Sequence, residues 1–312
     1  MKGVMLDADS LGCGLNFSDL QAQLDELVIW PTTSPEQVAK RINDFNVVLV
    51  NKVQLNRALL EQAKSLKLIC VMATGMNNVD LEAAAELGIE VRNVQAYGTA
   101  SVAQHTLMLM LALATRLPLY QQSLAAGDWQ QAPAFCLMQH PVTQLAGKNL
   151  LLVGYGELGQ AVGKLANAFG MKLLIAARPG KSDDHRPTLD ELLPQADVIS
   201  FHCPLNESTR GLLNAHNLQR TKPDLLVVNA ARGGIVDELA ALDALRSRQI
   251  AGLAVDVLTE EPPRNGNPLL DALQESLNLI VTPHNAWIAP EARQKIVDLT
   301  AQNIQQHQAK RS

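Results

Sequence analysis

The chain has 312 residues, 47% of them hydrophobic and 18% charged, with a formal net charge of -5. A length of this order accommodates about two domains, each able to bury its own core. The weak acidity, without any long block of like charge, excludes a nucleic-acid arm or a disordered tail and leaves a small molecule as the expected partner.

The N-terminus, MKGVMLDADS, reaches an acid at Asp7 and lacks the apolar core and small-residue cleavage site of a signal peptide, so the expected location is cytoplasmic. In the first hundred residues, short β-rich runs (KGVMLD, ELVIW, NVVLV, KLICV, IEVRNV) alternate with segments of helical period such as SPEQVAKRIN and NRALLEQAKS. That alternation predicts a parallel sheet flanked by helices. Thr99 to Arg116 follows as a long apolar helix. Its most apolar run, Thr106 to Ala114, is about half of the roughly 20 residues a membrane span needs, so it reads as a buried helix with no membrane partner. The next segment, GDWQQAPAFCLMQHPVTQLAGKN, has little periodicity and reads as a linker and an excursion.

A second alternation begins at Leu150. LLLVG, KLLIAA, DVISFH, DLLVVNAA, GLAVDV and NLIVTP are six candidate strands, matching a doubly wound dinucleotide-binding sheet. A final helix, EARQKIVDLTAQNIQQHQ, carries Ile296, Leu299 and Ile304 near one face and is expected to pack on the first domain. The four cysteines, Cys13, Cys70, Cys136 and Cys203, are far apart, which suits neither zinc nor a disulfide framework; they read as reduced packing residues. Asp183 and Asp184 read as a solvated loop, and no metal site is expected.

Gly154, Gly156 and Gly159 in GYGELG stand between an apolar strand and a helix-compatible run. In that context the first glycine permits a tight turn, the second lets backbone approach a pyrophosphate, and the third lets helix and strand pack closely. Amides at the helix start, at Glu157 and Leu158, then face the phosphates. The pattern calls for an acid about 20 residues later to hold the adenosine ribose. Here Ala176 and Ala177 occupy that place, followed by Arg178, which either contacts a ribose 2'-phosphate or stacks on adenine or sits in solvent. The cofactor is therefore NAD(H) or NADP(H).

Three polar residues follow later strands: Arg232 in NAARGGIVDE, Glu261 in DVLTEEPP and His284 in TPHNAW. Singly they could be a surface ion pair, a solvated acid and a satisfied loop histidine. Together they suit reduction of a 2-keto acid. Arg232 offers a planar fork for a carboxylate. His284 can deliver a proton to the carbonyl oxygen as hydride arrives at carbon. Glu261, bonded to the other ring nitrogen, would orient the imidazole and stabilise imidazolium.

These four motifs, in this order and spacing, resemble the D-isomer-specific 2-hydroxyacid dehydrogenase family over nearly the whole chain. The resemblance implies an α/β fold in which a Rossmann-type doubly wound parallel sheet, residues 100–287, is inserted into a flavodoxin-like substrate domain, residues 1–99 and 288–312. It also implies two crossing helices and a homodimer. It places Arg232, Glu261 and His284 on the family's catalytic arginine, glutamate and histidine. Asp256 falls on the acid that contacts the nicotinamide amide, and Thr106 on a threonine near the cofactor. Cys203 and Pro204 fall on the adenine side, and Ala230 joins the cofactor set. Backbone amides around Thr74, Gly75 and Met76 would hold the substrate carboxylate.

Within the family, ATGMNNVD, YGTASVAQHTL, GYGELGQAV and TPHNAW most resemble the glycerate dehydrogenase (hydroxypyruvate reductase) branch. Trp287 either narrows the substrate pocket or packs at a hinge. Phe135 and Met138 would line a partner subunit's pocket or pack in a dimer. Formate dehydrogenases of this fold carry glutamine where Glu261 stands, which argues against that activity. Another 2-keto acid substrate, or a dinucleotide-sensing binding protein of the same fold, stays open. His105 reads as a satisfied interior histidine.

Overall fold

The computed structural model describes residues 1–310. The chain divides into two compact units, Met1–Gly98 with Ile288–Ser312, and Thr99–Trp287.

The first unit is built on β1 (Lys2–Met5), β2 (Glu26–Ile29), β3 (Val47–Val50), β4 (Leu68–Val71) and β5 (Glu90–Asn93). They form one sheet in the order β2-β1-β3-β4-β5, with every pairing parallel. Parallel strands covered on both faces must be apolar throughout, and β3 and β4, VVLV and LICV, are buried at every position. The core gathers Val4, Val48, Ile69 and Val71 with Val38, Ile42 and Leu60 from the flanking helices. The terminal helix Pro290–Ala309 belongs to this unit and packs on β4 and β5, burying Ile296, Val297, Thr300, Ala301, Ile304 and His307. Leu299 is only half-buried, because the buried stripe passes through Val297 and Thr300 instead.

The second unit carries β6 (Asn149–Val153), β7 (Lys172–Ile175), β8 (Val198–Phe201), β9 (Leu226–Asn229), β10 (Gly252–Val255) and β11 (Leu279–Val281). The order is β11-β10-β9-β8-β6-β7, again all parallel. Counting from β6, that is 2-1-3-4-5-6, with the reversal of direction between β6 and β8, where open α/β sheets leave a crevice at their carboxyl ends. Among the described residues no strand lies between β7 and β8. The segment beyond β7 bonds back through Ala177 N–H to the Pro187 carbonyl at 2.8 Å, and proline has no N–H with which to continue a ladder.

The apolar helix is Thr99–Ala114 and buries Ala103, Thr106, Leu109, Met110 and Leu113 against β9, β10 and the helix Glu157–Ala168. A further helix, Leu117–Ala125, precedes the irregular excursion. No single helix among the described residues is long and apolar enough to cross a membrane, although the two helices Thr99–Ala114 and Leu117–Ala125, bent by 58°, reach that length together. Two cysteines depart from the packing role: Cys70 and Cys203 are buried, whereas Cys13 is exposed and Cys136 half-exposed, both lying in loops with no core to join.

Candidate active site

The glycine turn follows β6. Gly154 has φ 96°, a left-handed conformation, and a Cβ there would sit 2.6 Å from the His202 carbonyl group. A Cβ on Gly159 would overlap the Gly154 carbonyl. Both glycines are therefore required by packing between β6, the following helix and the end of β8. Gly156 differs, because a Cβ there would meet nothing within 4 Å. It caps the helix Glu157–Ala168 without a side-chain bond, so the first amides, those of Glu157, Leu158 and Gly159, keep no side-chain acceptor from the cap. Helix-start amides without a side-chain acceptor are the donors a pyrophosphate requires. Glu157 accepts a hydrogen bond from the Thr99 hydroxyl at 2.8 Å, and Leu158 packs on the core.

At the end of β7, Ala177 occupies the place of a ribose-holding acid. Arg178 is exposed, and it donates to Asp184 at 3.2 Å and to Asp183 at 3.1 Å. Asp184 also accepts from the Arg178 amide and from Arg186, and its side chain is only 7% exposed. These bonds hold its carboxyl well below the usual range. The solvated loop expected for the acidic pair therefore holds only for Asp183; Asp184 is a built anchor of the loop. Cys203 and Pro204 follow β8, and burial pushes the Cys203 thiol up to about 11. Ala230, just past β9, is buried, and Thr106 is fully buried with its hydroxyl spent on the Val102 carbonyl at 2.8 Å.

Arg232, Glu261 and His284 follow β9, β10 and β11, three neighbours at one side of the sheet. His284 Nδ1 lies 2.6 Å from Glu261 Oε2, while Glu261 Oε1 accepts the Leu258 amide at 2.9 Å. The carboxylate is thus fixed at both oxygens, and Nε2 is the ring nitrogen left to face a reactant. His284 has φ 52°, a left-handed conformation that costs an L-residue roughly 1–2 kcal/mol. Such strain persists only where the surroundings over-determine it.

Those surroundings centre on Asp256. It is 1% exposed and follows β10 directly. Oδ1 accepts the Thr282 hydroxyl at 2.6 Å and the Asn285 amide at 3.0 Å, Oδ2 accepts the Ala286 amide at 3.1 Å, and the Asp256 carbonyl accepts the His284 amide at 2.8 Å. The carboxylate holds the histidine loop.

Arg232 is exposed on a loop tied by Asn229, whose Oδ1 accepts the Ala231 amide at 3.1 Å and whose Nδ2 donates to the Arg232 carbonyl at 2.9 Å. The next residue, Gly233, packs so closely that a Cβ would overlap the Leu258 carbonyl, the residue whose amide fixes Glu261. The arginine and glutamate loops are therefore in backbone contact. Sequence reasoning missed Asn229, Gly233 and Thr282; the ARGG run and the polar residue ending β9 were the available signals.

Thr74, Gly75 and Met76 lie in the first unit, after β4. Their loop is anchored within that unit by Asn93 Nδ2 on the Thr74 carbonyl at 2.6 Å and by the Thr74 hydroxyl on the Val94 carbonyl at 3.2 Å. Trp287 is half-buried at the end of the second unit. Among the described residues no group of three His, Cys, Asp or Glu side chains could hold a metal ion.

Residues 107–286 match the D-isomer specific 2-hydroxyacid dehydrogenase, NAD binding domain. The chain belongs to this family. It is 37% identical to the hydroxypyruvate reductase of Blautia hydrogenotrophica, covering 98% of this chain and 96% of that one. It is 38% identical to the glycerate dehydrogenase of Methylorubrum extorquens, over 97% and 95% of the two chains. The solved D-2-hydroxyisocaproate dehydrogenase shares the fold, with a TM-score of 0.85 over 100% of this chain and 98% of that one, at 24% identity. As a member of this family the chain is an oxidoreductase that works on small 2-hydroxy or 2-keto acids with a nicotinamide dinucleotide.

Proposed function

We propose that the chain reduces hydroxypyruvate, with glyoxylate as a second substrate, to the D-2-hydroxy acid in the cytoplasm, using Arg232, Glu261 and His284. The observation that carries this reading is the 2.6 Å contact between His284 Nδ1 and a Glu261 carboxylate whose other oxygen is already held by the Leu258 amide.

The glycine turn, with its open face at Gly156, fits a dinucleotide pyrophosphate. When bound, the dinucleotide supplies the hydride. Arg232 pairs with the substrate carboxylate and sets the keto carbon in place. His284, directed by Glu261, donates its Nε2 proton to the carbonyl oxygen as negative charge grows there, and Glu261 stabilises the imidazolium that precedes the transfer. In the first unit the amides of Thr74 to Met76 are proposed carboxylate contacts. Trp287 is proposed to favour short substrates by its bulk. The remaining cofactor set is Thr106, Gly154, Gly156, Glu157, Leu158, Gly159, Ala177, Arg178, Cys203, Pro204, Ala230 and Asp256. For Asp256 the bonds to residues 282–286 favour action through the histidine loop.

Either dinucleotide is accommodated. Ala177 places no acid against a 2'-phosphate, and Arg178 can serve one by exchanging its bond to exposed Asp183. A second copy of the chain is the proposed cover for Trp129, Phe135, Met138 and Val142, of which Phe135 is 90% exposed and Met138 80%. The substrate domain is assigned to residues 1–99 and 288–312, and the dinucleotide domain to residues 100–287.

The test is His284→Asn. Turnover of hydroxypyruvate should fall by about 10³-fold or more while NADH still binds. Retained turnover removes His284 from the role.

A further inference from the structure

We propose that Ser101 and His105, on one face of the helix Thr99–Ala114, are positioning residues that clamp the His284 loop from both ends; the proposal rests on His284 being the proton donor. The Ser101 hydroxyl donates to the Ala286 carbonyl at 2.6 Å, and His105 Nε2 lies 3.0 Å from Thr282 Oγ1. Residues four apart on a helix stand one above the other, so a single rigid face reaches positions 282 and 286, which bracket the histidine.

The hydroxyl of Thr282 settles the direction of the bonds. It has one proton, and that proton goes to Asp256 Oδ1 at 2.6 Å, so the hydroxyl accepts from His105 Nε2–H. His105 is then the tautomer protonated at Nε2. Burial lowers its pKa against the upward pull of Asp256, whose Oδ1 lies 3.5 Å from Nε2. A chain of bonds runs from His105 through Thr282 to Asp256, and Asp256 passes it on to the amides of Asn285 and Ala286. His284 sits in the middle of the held segment at φ 52°, a conformation that an L-residue leaves when its surroundings let go.

Removing the His105 donor leaves Thr282 held by Asp256 and by its own amide on the Val255 carbonyl, so that end of the loop is loosened rather than released, and His284 gains room to shift from its left-handed geometry. Proton delivery to a growing oxyanion tolerates displacements of only a fraction of an ångström. The helix itself stays anchored elsewhere, through Asn278 Nδ2 on the Leu113 carbonyl at 3.1 Å and through its apolar face, so the fold does not depend on the clamp.

The experiment compares full-length wild type with His105→Leu, His105→Gln, Ser101→Ala and His284→Asn. It reads kcat and KM with hydroxypyruvate, NADH affinity by fluorescence, and the imidazole ¹⁵N resonances. His105→Leu should lose about 10- to 100-fold in kcat with NADH affinity within about twofold, and the His284 resonances should shift. His105→Gln, whose amide nitrogen reaches roughly as far as Nε2, should recover most of kcat and leave the resonances in place. Ser101→Ala should lose about threefold to tenfold. Wild-type kcat and unshifted resonances in His105→Leu overturn the clamp, as does an equal loss in the leucine and glutamine variants. If His284→Asn is inactive while His105→Leu is normal, the clamp alone fails. If His284→Asn turns over normally, the proton-donor reading fails and takes the purpose of the clamp with it.

Discussion

The two sheets are wound alike around their first strands, and in each the chain reverses direction beside that strand, yet the crevices left there are finished in opposite ways. In the first unit β1 runs into Asp7, which is 7% exposed and whose carboxylate collects the amides of Asn51 at 2.9 Å, Lys52 at 2.6 Å and Val53 at 3.1 Å from the end of β3. The protein supplies its own anion to those amides. In the second unit β6 runs into Gly154 and Gly156, a Cβ on Gly156 would meet nothing within 4 Å, and the cap gives the helix amides no side-chain acceptor. The same topology is self-satisfied where the first strand ends in an acid and receptive where it ends in glycine.

That contrast breaks most sharply at the glycines. Gly159→Ala drives a methyl group into the Gly154 carbonyl, so it should abolish measurable NADH binding and destabilise the protein by roughly 3 kcal/mol or more, read by fluorescence titration and urea unfolding. Gly156→Ala meets no atom and should unfold within about 0.5 kcal/mol of wild type while still losing dinucleotide affinity. Wild-type affinity in that variant would show that the open face is not where the pyrophosphate lies.

Arg232→Lys should come next in size. An ammonium cannot reproduce the two-point fork, so kcat/KM for hydroxypyruvate should drop by about 10²-fold with NADH affinity unchanged. In the first unit, Asp7→Asn removes the charge from the carboxylate that gathers the β3-end amides, and should lower stability by about 1–3 kcal/mol in urea without altering NADH affinity. An affinity change there would undo the separation of roles between the units.

In acid stability the two units differ by the pH window in which each loses it. His202 beside the glycine turn has a buried, unpartnered Nδ1, and burial holds its pKa down at about 4 from an ordinary 6.5. The unfolded chain therefore binds the proton first, and stability complete above pH 6.5 is lost as pH falls towards 4. For Glu90 burial pushes upward, but bonds from His307 and Arg92 prevail and hold it at about 2 from an ordinary 4.5. Its contribution is complete above pH 4.5 and disappears as pH falls towards 2. Thermal midpoints across pH should flatten between 6.5 and 4 in His202→Gln, and between 4.5 and 2 in Glu90→Gln.

Much of this was legible in the residues. Parallel strands buried on both faces are continuous apolar runs, so VVLV, LICV, VISF and LVVN announce themselves. Arg232, Glu261 and His284 each follow such a run, which places them at the carboxyl edge. Other features carry no local signal. His105 lies in an apolar helix, and only the folded chain shows that it reaches Thr282. Asp184 looks like any loop acid until Arg178 and Arg186 close on it. Asp256 stands after a strand like a ligand contact, and only the folded chain shows that its oxygens also accept the amides of a loop almost thirty residues later.

The most direct test of the central claim is the rate of NADH and NADPH consumption, in parallel, with hydroxypyruvate, glyoxylate and pyruvate. The account predicts fast turnover of hydroxypyruvate, slower turnover of glyoxylate, and a measurable rate with NADPH as well as NADH. Dinucleotide binding without turnover of any of the three acids would contradict it.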